Sequence, residues 1–289
     1  MNAKPRWPTL RPSHLLQALA RAAILAFLTP ICLAELAVLS MFSPASHRPL
    51  ALASALVRWA RRSVRLLGIK LEVNGDPPPP GLLVCNHTGY VDALVLASVC
   101  PMVFVAKTEA GNWPVFGAIV RGFGSLMIDR SKRTDIVRVG SGFRSVVESG
   151  ATVCVFAEGT STDGSTVLPF KSGLLEPAVK QGWPVTAAWV GYELPDGLPD
   201  RSVCYYGDSV FLPHFMRVLT RNSIRAHVAF APPHGKVARG RVALSEALRN
   251  EVLALAKTRR NRSDLQGTAV GGPSIRESIT SGTKPASPR

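Results

Sequence analysis

Apolar positions fall into distinct regimes along the chain. From Ala22 to Phe42 the residues AAILAFLTPICLAELAVLSMF carry Glu35 as their single charge, a run of about the length that spans a hydrocarbon core. Pro30 and Glu35 interrupt it, so it predicts either a clean span or a kinked, re-entrant or interfacial helix pair. From Leu50 to Leu67 apolar residues recur at helical spacing (Leu52, Leu56, Ala60, Val64, Leu67), with Arg58, Arg61, Arg62 and Arg65 between them. That is the pattern of a basic amphipathic helix, which either lies on anionic lipid or packs as an ordinary surface helix.

From Lys70 onward, short apolar runs alternate with helical stretches. Strands are predicted at Leu71–Val73, Leu82–Cys85, Val103–Ala106, Leu126–Ile128, Val153–Phe156 and Val185–Val190, with further strands around Val203–Tyr206 and Ile224–Phe230. Helices are predicted at Val91–Val99, Pro114–Gly122, Thr134–Glu148, Leu174–Lys180 and Val242–Ala256. The alternation argues an α/β fold: a mostly parallel or mixed sheet flanked by helices, behind N-terminal membrane-associated helices. Beyond Lys257 the chain is polar, basic and rich in Ser, Gly and Pro, the composition of a disordered tail. The expected division is a membrane-associated segment over 1–48, the α/β domain over 49–257 and the tail over 258–289.

Composition narrows the class. A hydrophobic content of 46% over 289 residues can bury a substantial core, which excludes disorder for the bulk of the chain. The net charge of +15 attracts a polyanion, either nucleic acid or the anionic cytoplasmic face of a membrane. Aromatic residues are not interleaved with the basic runs, so nucleic acid ranks last as a partner. Arg48, Arg58, Arg61, Arg62 and Arg65 follow the apolar segment, and cations so placed are held on the cytoplasmic side. The body is therefore expected at the cytoplasmic membrane, facing the cytoplasm. A cleaved signal peptide fits poorly, because the basic region is long, the apolar run is broken and no small-x-small site follows Phe42. Cysteines 32, 85, 100, 154 and 204 show no C-x-x-C spacing and sit mainly in apolar runs, which fits a reduced compartment and no zinc site.

Three polar blocks follow strands, where α/β sheets gather their ligand chemistry. In Asn86-His87-Thr88-Gly89-Tyr90-Val91-Asp92, a histidine at a strand end is suited to take a proton from an alcohol. His87 and Asp92 lie five apart, so His87 must occupy the turn and Asp92 the first helical turn, where its carboxylate can accept from one imidazole nitrogen. The bland alternative has Asp92 merely favouring the helix N-terminus. In Gly124-Ser125-Leu126-Met127-Ile128-Asp129-Arg130, the arginine can grip phosphate or be a solvated surface charge. In Phe156-Ala157-Glu158-Gly159-Thr160-Ser161, Gly159 permits close backbone approach and Glu158 can bind a hydroxyl or fix a neighbour. Phe170-Lys171-Ser172-Gly173 opens the next helix, with Lys171 adding positive charge for a phosphate.

Together these blocks resemble the glycerolipid acyltransferase family, typified by 1-acylglycerol-3-phosphate acyltransferases. The family's N-H-x-x-x-x-D corresponds to Asn86–Asp92, its G-x-x-x-I-x-R to Gly124–Arg130 and its F-P-E-G-T to Phe156–Thr160, within a likeness covering roughly residues 60–235. The resemblance implies that His87, supported by Asp92, deprotonates an acceptor hydroxyl that attacks an acyl thioester directly. It also implies that Lys107, Arg130 and Lys171 hold acceptor phosphate, and that Glu158 and Gly159 shape the acceptor site. Asn86, Gly124 and Thr160 complete the implied substrate-binding set, and backbone donors meet the oxyanion. The implied co-substrate is acyl-CoA or acyl carrier protein; no metal or bound cofactor is implied. The expected acceptor is 1-acyl-sn-glycerol-3-phosphate, giving phosphatidic acid. There are departures: Ala157 replaces the usual Pro, Ser161 the basic residue that often follows the Thr, and the fourth block is reduced to Trp183-Pro184-Val185. The stretch from Glu158 to Ser172 resembles a bacterial subgroup acylating lyso-ornithine lipid, which makes that lipid the alternative acceptor.

Other classes fare worse. No G-x-S-x-G elbow occurs, and Gly207-Asp208-Ser209 is not followed by an Asp-x-x-His partner, which disfavours a serine hydrolase. Gly140-Ser141-Gly142 completes neither a dinucleotide nor a P-loop pattern. A non-catalytic membrane lipid-binding protein remains the alternative of another class; it would tolerate loss of His87.

Overall fold

The computed structural model describes residues 11–112, 116–129, 132–194, 199–235 and 240–270. Helix α1, Pro12–Phe42, runs unbroken through Pro30. The apolar segment is thus one continuous helix, not a helix pair. Ala18, Cys32 and Leu36 are buried on its inner stripe, with Ala22, Leu25, Leu33 and Leu39 packed on the same core. Phe27, Ile31, Val38 and Met41 are exposed on the opposite side. Helix α2, Arg48–Leu66, buries Leu52, Leu56, Ala60 and Val64 and leaves Arg58, Arg61, Arg62 and Arg65 exposed, as its period requires.

The remaining elements follow in order: β1 Ile69–Asn74, β2 Leu82–Cys85, α3 Tyr90–Ala97, β3 Met102–Lys107, α4 Thr108–Gly111, α5 Phe116–Gly122, β4 Leu126–Ile128, α6 Arg133–Glu148 and β5 Thr152–Phe156. After a 3-10 turn at Ser172–Leu175 come α7 Glu176–Gln181, β6 Val185–Glu193, a second 3-10 turn at Arg201–Val203, α8 Phe211–Leu219, β7 Ile224–Phe230 and α9 Arg241–Val270. The strands form one seven-stranded sheet in the order β1-β7-β6-β2-β5-β3-β4. Pairing is parallel throughout except between β6 and β7, so the sheet is mixed, with helices on both sides.

The central strands β2 and β5 are buried at every position because both faces are covered. Leu83, Cys85, Cys154 and Phe156 join the core shared with α1, α2 and α3. Their neighbours Leu82, Val84, Val153 and Val155 join a second core under α6 and α9. The two-residue period of a strand divides the same sequence between two cores.

Four elements depart from the sequence expectation, the short helix α4 being one that no prediction covers. No strand forms at Val203–Tyr206: Asp200 accepts from the Ser202 N–H at 3.0 Å and caps a 3-10 turn at Arg201–Val203 instead. Helix α8 went unexpected, because Pro213 reads as a turn signal; it sits within the first helical turn, where its missing N–H is harmless. Finally, α9 does not end near Ala256 but continues to Val270. Leu244, Leu248, Val252 and Ala256 dock its first half, and Arg259 carries the helix onward by pairing with Glu193 at 2.8 Å. A docked helix extends cheaply through Arg- and Lys-rich sequence. The rest of the expected tail, 271–289, lies outside the described residues.

Candidate active site

Register assembles the site. Strands β2 and β5 are parallel neighbours with Cys85 opposite Phe156, so His87 and Glu158, each two residues further on, emerge side by side at the carboxyl edge. Glu158 accepts the His87 N–H at 2.7 Å through Oε1 and the Leu168 N–H at 2.7 Å through Oε2. Both carboxylate oxygens thus hold backbone: one the histidine turn, the other the loop that returns toward Lys171. Burial raises the Glu158 carboxyl above its ordinary value, against the lowering pull of those two N–H groups.

Asn86 is buried and closes the other flank. Its side chain donates to the Val190 carbonyl at 2.9 Å and accepts the Val190 N–H at 2.8 Å, continuing the β2–β6 pairing past the end of β2. Its position on β2 directs it into the sheet edge, where it satisfies two strand groups.

His87 sits in the turn and Asp92 in the first turn of α3, with Nδ1 and Oδ2 2.9 Å apart. The same Oδ2 accepts the Thr88 N–H at 2.5 Å and the Gly89 N–H at 2.8 Å. These are obligate donors, so Oδ2 is an acceptor and Nδ1 must carry the imidazole proton; Nε2 is left with the lone pair. The other oxygen, Oδ1, accepts from Thr88 Oγ1 at 2.7 Å and from Tyr192 Oη at 2.8 Å. Asp92 is fully buried, whereas the His87 side chain keeps 24% of its surface. Phe156 stacks on the imidazole with ring centroids 4.0 Å apart, fixing its plane. Asp92 thus serves both as helix N-terminal acceptor and as partner of the histidine.

Lys107, Gly159, Thr160 and Lys171 lie at the carboxyl ends of neighbouring strands. Lys107 ends β3 opposite Ile128 of β4 and is exposed. Arg130 lies two positions past that pair but outside the described residues. The Lys171 N–H bonds the Ala157 carbonyl at 2.8 Å, which brings its exposed side chain back to the carboxyl edge of β5. A cavity of about 90 Å³ lies here, lined by Ile128, Ile136, Ala157, Gly159, Lys171 and Leu174 among others. Gly159 is buried with φ +78°, a left-handed conformation that favours glycine, and Thr160 beside it is exposed. Gly124 stands apart: it precedes β4 with φ +75°, in the turn out of α5. Its position makes a strand entry, away from the edge that carries His87.

Sequence reasoning missed Tyr192 and Thr88, which hold the second oxygen of Asp92. Thr88 lay inside the motif; Tyr192 is distant in sequence, and only the β2–β6 register brings it near. An aromatic wall was also missed, in which Tyr90 packs on Tyr205, Phe211 and His214 with centroids 5.2–5.6 Å apart. His214 is buried, its Nδ1 2.9 Å from Tyr90 Oη and its Nε2 3.1 Å from the Cys204 carbonyl.

A histidine–carboxylate pair at the edge of a mixed sheet, with no serine or cysteine among the described residues bonded to the imidazole, is equipped to activate an external hydroxyl. The chain belongs to the acyltransferase family, whose model matches residues 70–191. Among its relatives, the lyso-ornithine lipid O-acyltransferase of Rhizobium meliloti is 33% identical over 187 residues, 60% of this chain and just under two thirds, 64%, of that protein. The protein of the same name from Brucella abortus is 32% identical over 212 residues, covering 67% of this chain and 78% of its own. The 1-acyl-sn-glycerol-3-phosphate acyltransferase of Neisseria meningitidis is 33% identical over 141 residues, 48% of this chain and 55% of that one. The fold matches the crystal structure of the Thermotoga maritima 1-acyl-sn-glycerophosphate acyltransferase with a TM-score of 0.57 at 18% identity, over 84% of this chain and 95% of that one. The expected fold and family are thereby met.

Proposed function

We propose that the chain transfers a fatty acyl group from acyl-CoA or acyl carrier protein to the free hydroxyl of a lysolipid, with His87 as general base. The carrying observation is the His87–Asp92 pair: a proton fixed on Nδ1 and a lone pair on Nε2 of a ring that keeps part of its surface exposed. The acceptor hydroxyl attacks the thioester carbonyl carbon as Nε2 takes its proton. When the tetrahedral intermediate collapses the C–S bond breaks, and the imidazolium returns that proton to the departing thiolate. Asp92 holds the ring and stabilises its cationic form throughout.

Lyso-ornithine lipid is the acceptor we favour. The relatives reported above with the longest alignments carry that name, and the loop after Glu158 suits a zwitterionic head group better than a phosphate dianion: Ser161 stands where a basic residue often follows the Thr, and Asp163 is an acid. A second reading, 1-acyl-sn-glycerol-3-phosphate, is favoured by exposed Lys107 and Lys171 at the same edge and by the Neisseria relative. Purified protein given labelled acyl donor and both acceptors in parallel tests the pair. Transfer to lyso-ornithine lipid, reduced roughly 10²–10⁴-fold by His87→Ala, is the expected result. Full activity in that variant would refute the base assignment.

Helix α1 is long and apolar enough to cross a membrane. We read it as lying within one leaflet, because it is docked along much of its length: Gln17 and Arg21 bond carbonyls of Leu219 and Arg221, Glu35 pairs with Arg58 and Leu36 abuts Gly122. A helix so bound cannot stand upright in a bilayer without drawing polar body surface in with it. The exposed arginines of α2 suit an anionic cytoplasmic leaflet.

A further inference from the structure

We infer that Tyr192 is a positioning residue of the His87–Asp92 pair, which tunes the basicity of the imidazole by sharing the charge of Asp92. This rests on the acyl-transfer reading above, and nothing in the three sequence blocks assigns it.

Strand β6 pairs with β2 only from Val185 to Ala188, then runs on beside β7 to Glu193. The overhang carries Tyr192 beneath the start of α3. Asn86 clamps the overhang at Val190, and Tyr192 lies two residues on, facing the same side. Its ring is 5% exposed, and its hydroxyl meets Oδ1 of Asp92 at 2.8 Å.

Asp92 receives five donors, close to the four or so lone-pair sites that a carboxylate offers. Three act on Oδ2, the oxygen that faces His87. Thr88 Oγ1 and Tyr192 Oη act on Oδ1, away from the ring. Every donor on Oδ1 withdraws negative charge that would otherwise stabilise the imidazolium. The other titratable groups near the pair are Glu158, Cys85, Cys154 and Cys204, and none of them bonds Asp92 among the described residues. The two hydroxyls are therefore the adjustable part of the arrangement.

A buried tyrosine hydroxyl needs a partner in any case, so the test must separate tuning from mere satisfaction. Tyr192→Phe keeps the ring and removes the donor. With less charge drawn off, Asp92 becomes the more basic partner, the imidazolium persists to higher pH, and the acid limb of kcat/KM moves upward. The expected shift is roughly half a pH unit, with the plateau kcat and both KM values within about twofold of native. Titration of His87 by NMR in the full-length protein, with the signal assigned through a His87→Asn variant, should move the same way with no substrate present. A wrong acceptor assignment would leave that titration result standing. If Tyr192→Phe lowers the melting temperature too far for assay, Thr88→Val removes the other Oδ1 donor and should shift the limb in the same direction, while Thr88→Ser should restore it. Native acid limbs and native imidazole titration in both donor-free variants would overturn the inference.

Discussion

Glu158 reaches the backbone N–H of His87 at 2.7 Å, binding the main chain of the residue whose ring does the chemistry. In Glu158→Gln one of its two acceptor oxygens becomes a donor, and either the His87 turn or the Leu168 loop loses its anchor. We expect kcat to fall about 10–100-fold with little change in KM, because a loosened turn misplaces the base by a fraction of an ångström. Steady-state kinetics read this directly.

The same variant should show a signature in stability. Burial raises the folded-state pKa of Glu158, so its contribution is fully present below the unfolded carboxyl value of about 4.3 and is lost as pH rises through the higher folded value. Glutamine has no such loss. The stability gap between the native chain and Glu158→Gln should narrow as pH climbs from about 4 toward neutrality. Urea titrations across that range would show it; a widening gap would mean that the two backbone donors outweigh burial.

Asn86 predicts a different failure. Asn86→Asp keeps the acceptor for the Val190 N–H but sets a carboxylate oxygen against the Val190 carbonyl at a buried position. Asn86→Ala leaves both strand groups without a partner. Each unsatisfied group costs about 1–3 kcal/mol, so Asn86→Ala should destabilise by roughly 2–4 kcal/mol. Asn86→Asp should do no better, and denaturant midpoints would rank them.

His214 carries the opposite pH sign. Burial lowers its pKa below the ordinary histidine value of 6.5, so the fold holds it neutral. The unfolded chain binds its proton first as pH falls. Stability is full above about 6.5 and declines as pH drops toward the lower folded value. In His214→Phe the slope of melting temperature between about pH 7 and 5.5 should become shallower, although its bonds to Tyr90 and Cys204 are gone. An unchanged slope would place the titration elsewhere.

What the sequence made legible followed from local rules. Leu82–Cys85 stands at its predicted boundaries because an apolar run bounded by turn residues has one solution in a covered sheet, and Ile224–Phe230 does so although Arg225 and His227 interrupt its apolar pattern. The five-residue spacing from His87 to Asp92 was enough to place a ring and a carboxylate around one helix start. Illegible were relations that depend on strand order. Tyr192 reaches Asp92 only because β6 borders β2, and nothing near residue 192 signals it. At Val203 the expected strand gives way to a 3-10 turn that the side chain of Asp200 caps. At Pro213, a residue that stops most helices opened one.

The apolar outer face of α1 supplies the last prediction. Phe27, Ile31 and Val38 are exposed at helical spacing on the side away from the body, while the inner stripe stays packed. Replacing all three with Asp leaves the inner stripe and the bonds from Arg21 intact, so the fold should survive. Each fully buried apolar side chain of this size is worth about 1.5–3 kcal/mol, and three aspartates add a charge penalty in lipid. The variant should therefore lose most binding to sedimented anionic vesicles yet melt as the native chain does. Alkaline carbonate separates the two placements of α1. A helix in the interface is stripped into the supernatant once the arginines of α2 lose their anionic contacts, whereas a spanning helix stays in the pellet. Retention of the native chain in the pellet would defeat the interfacial placement, and survival of vesicle binding in the triple variant would assign the contact to α2.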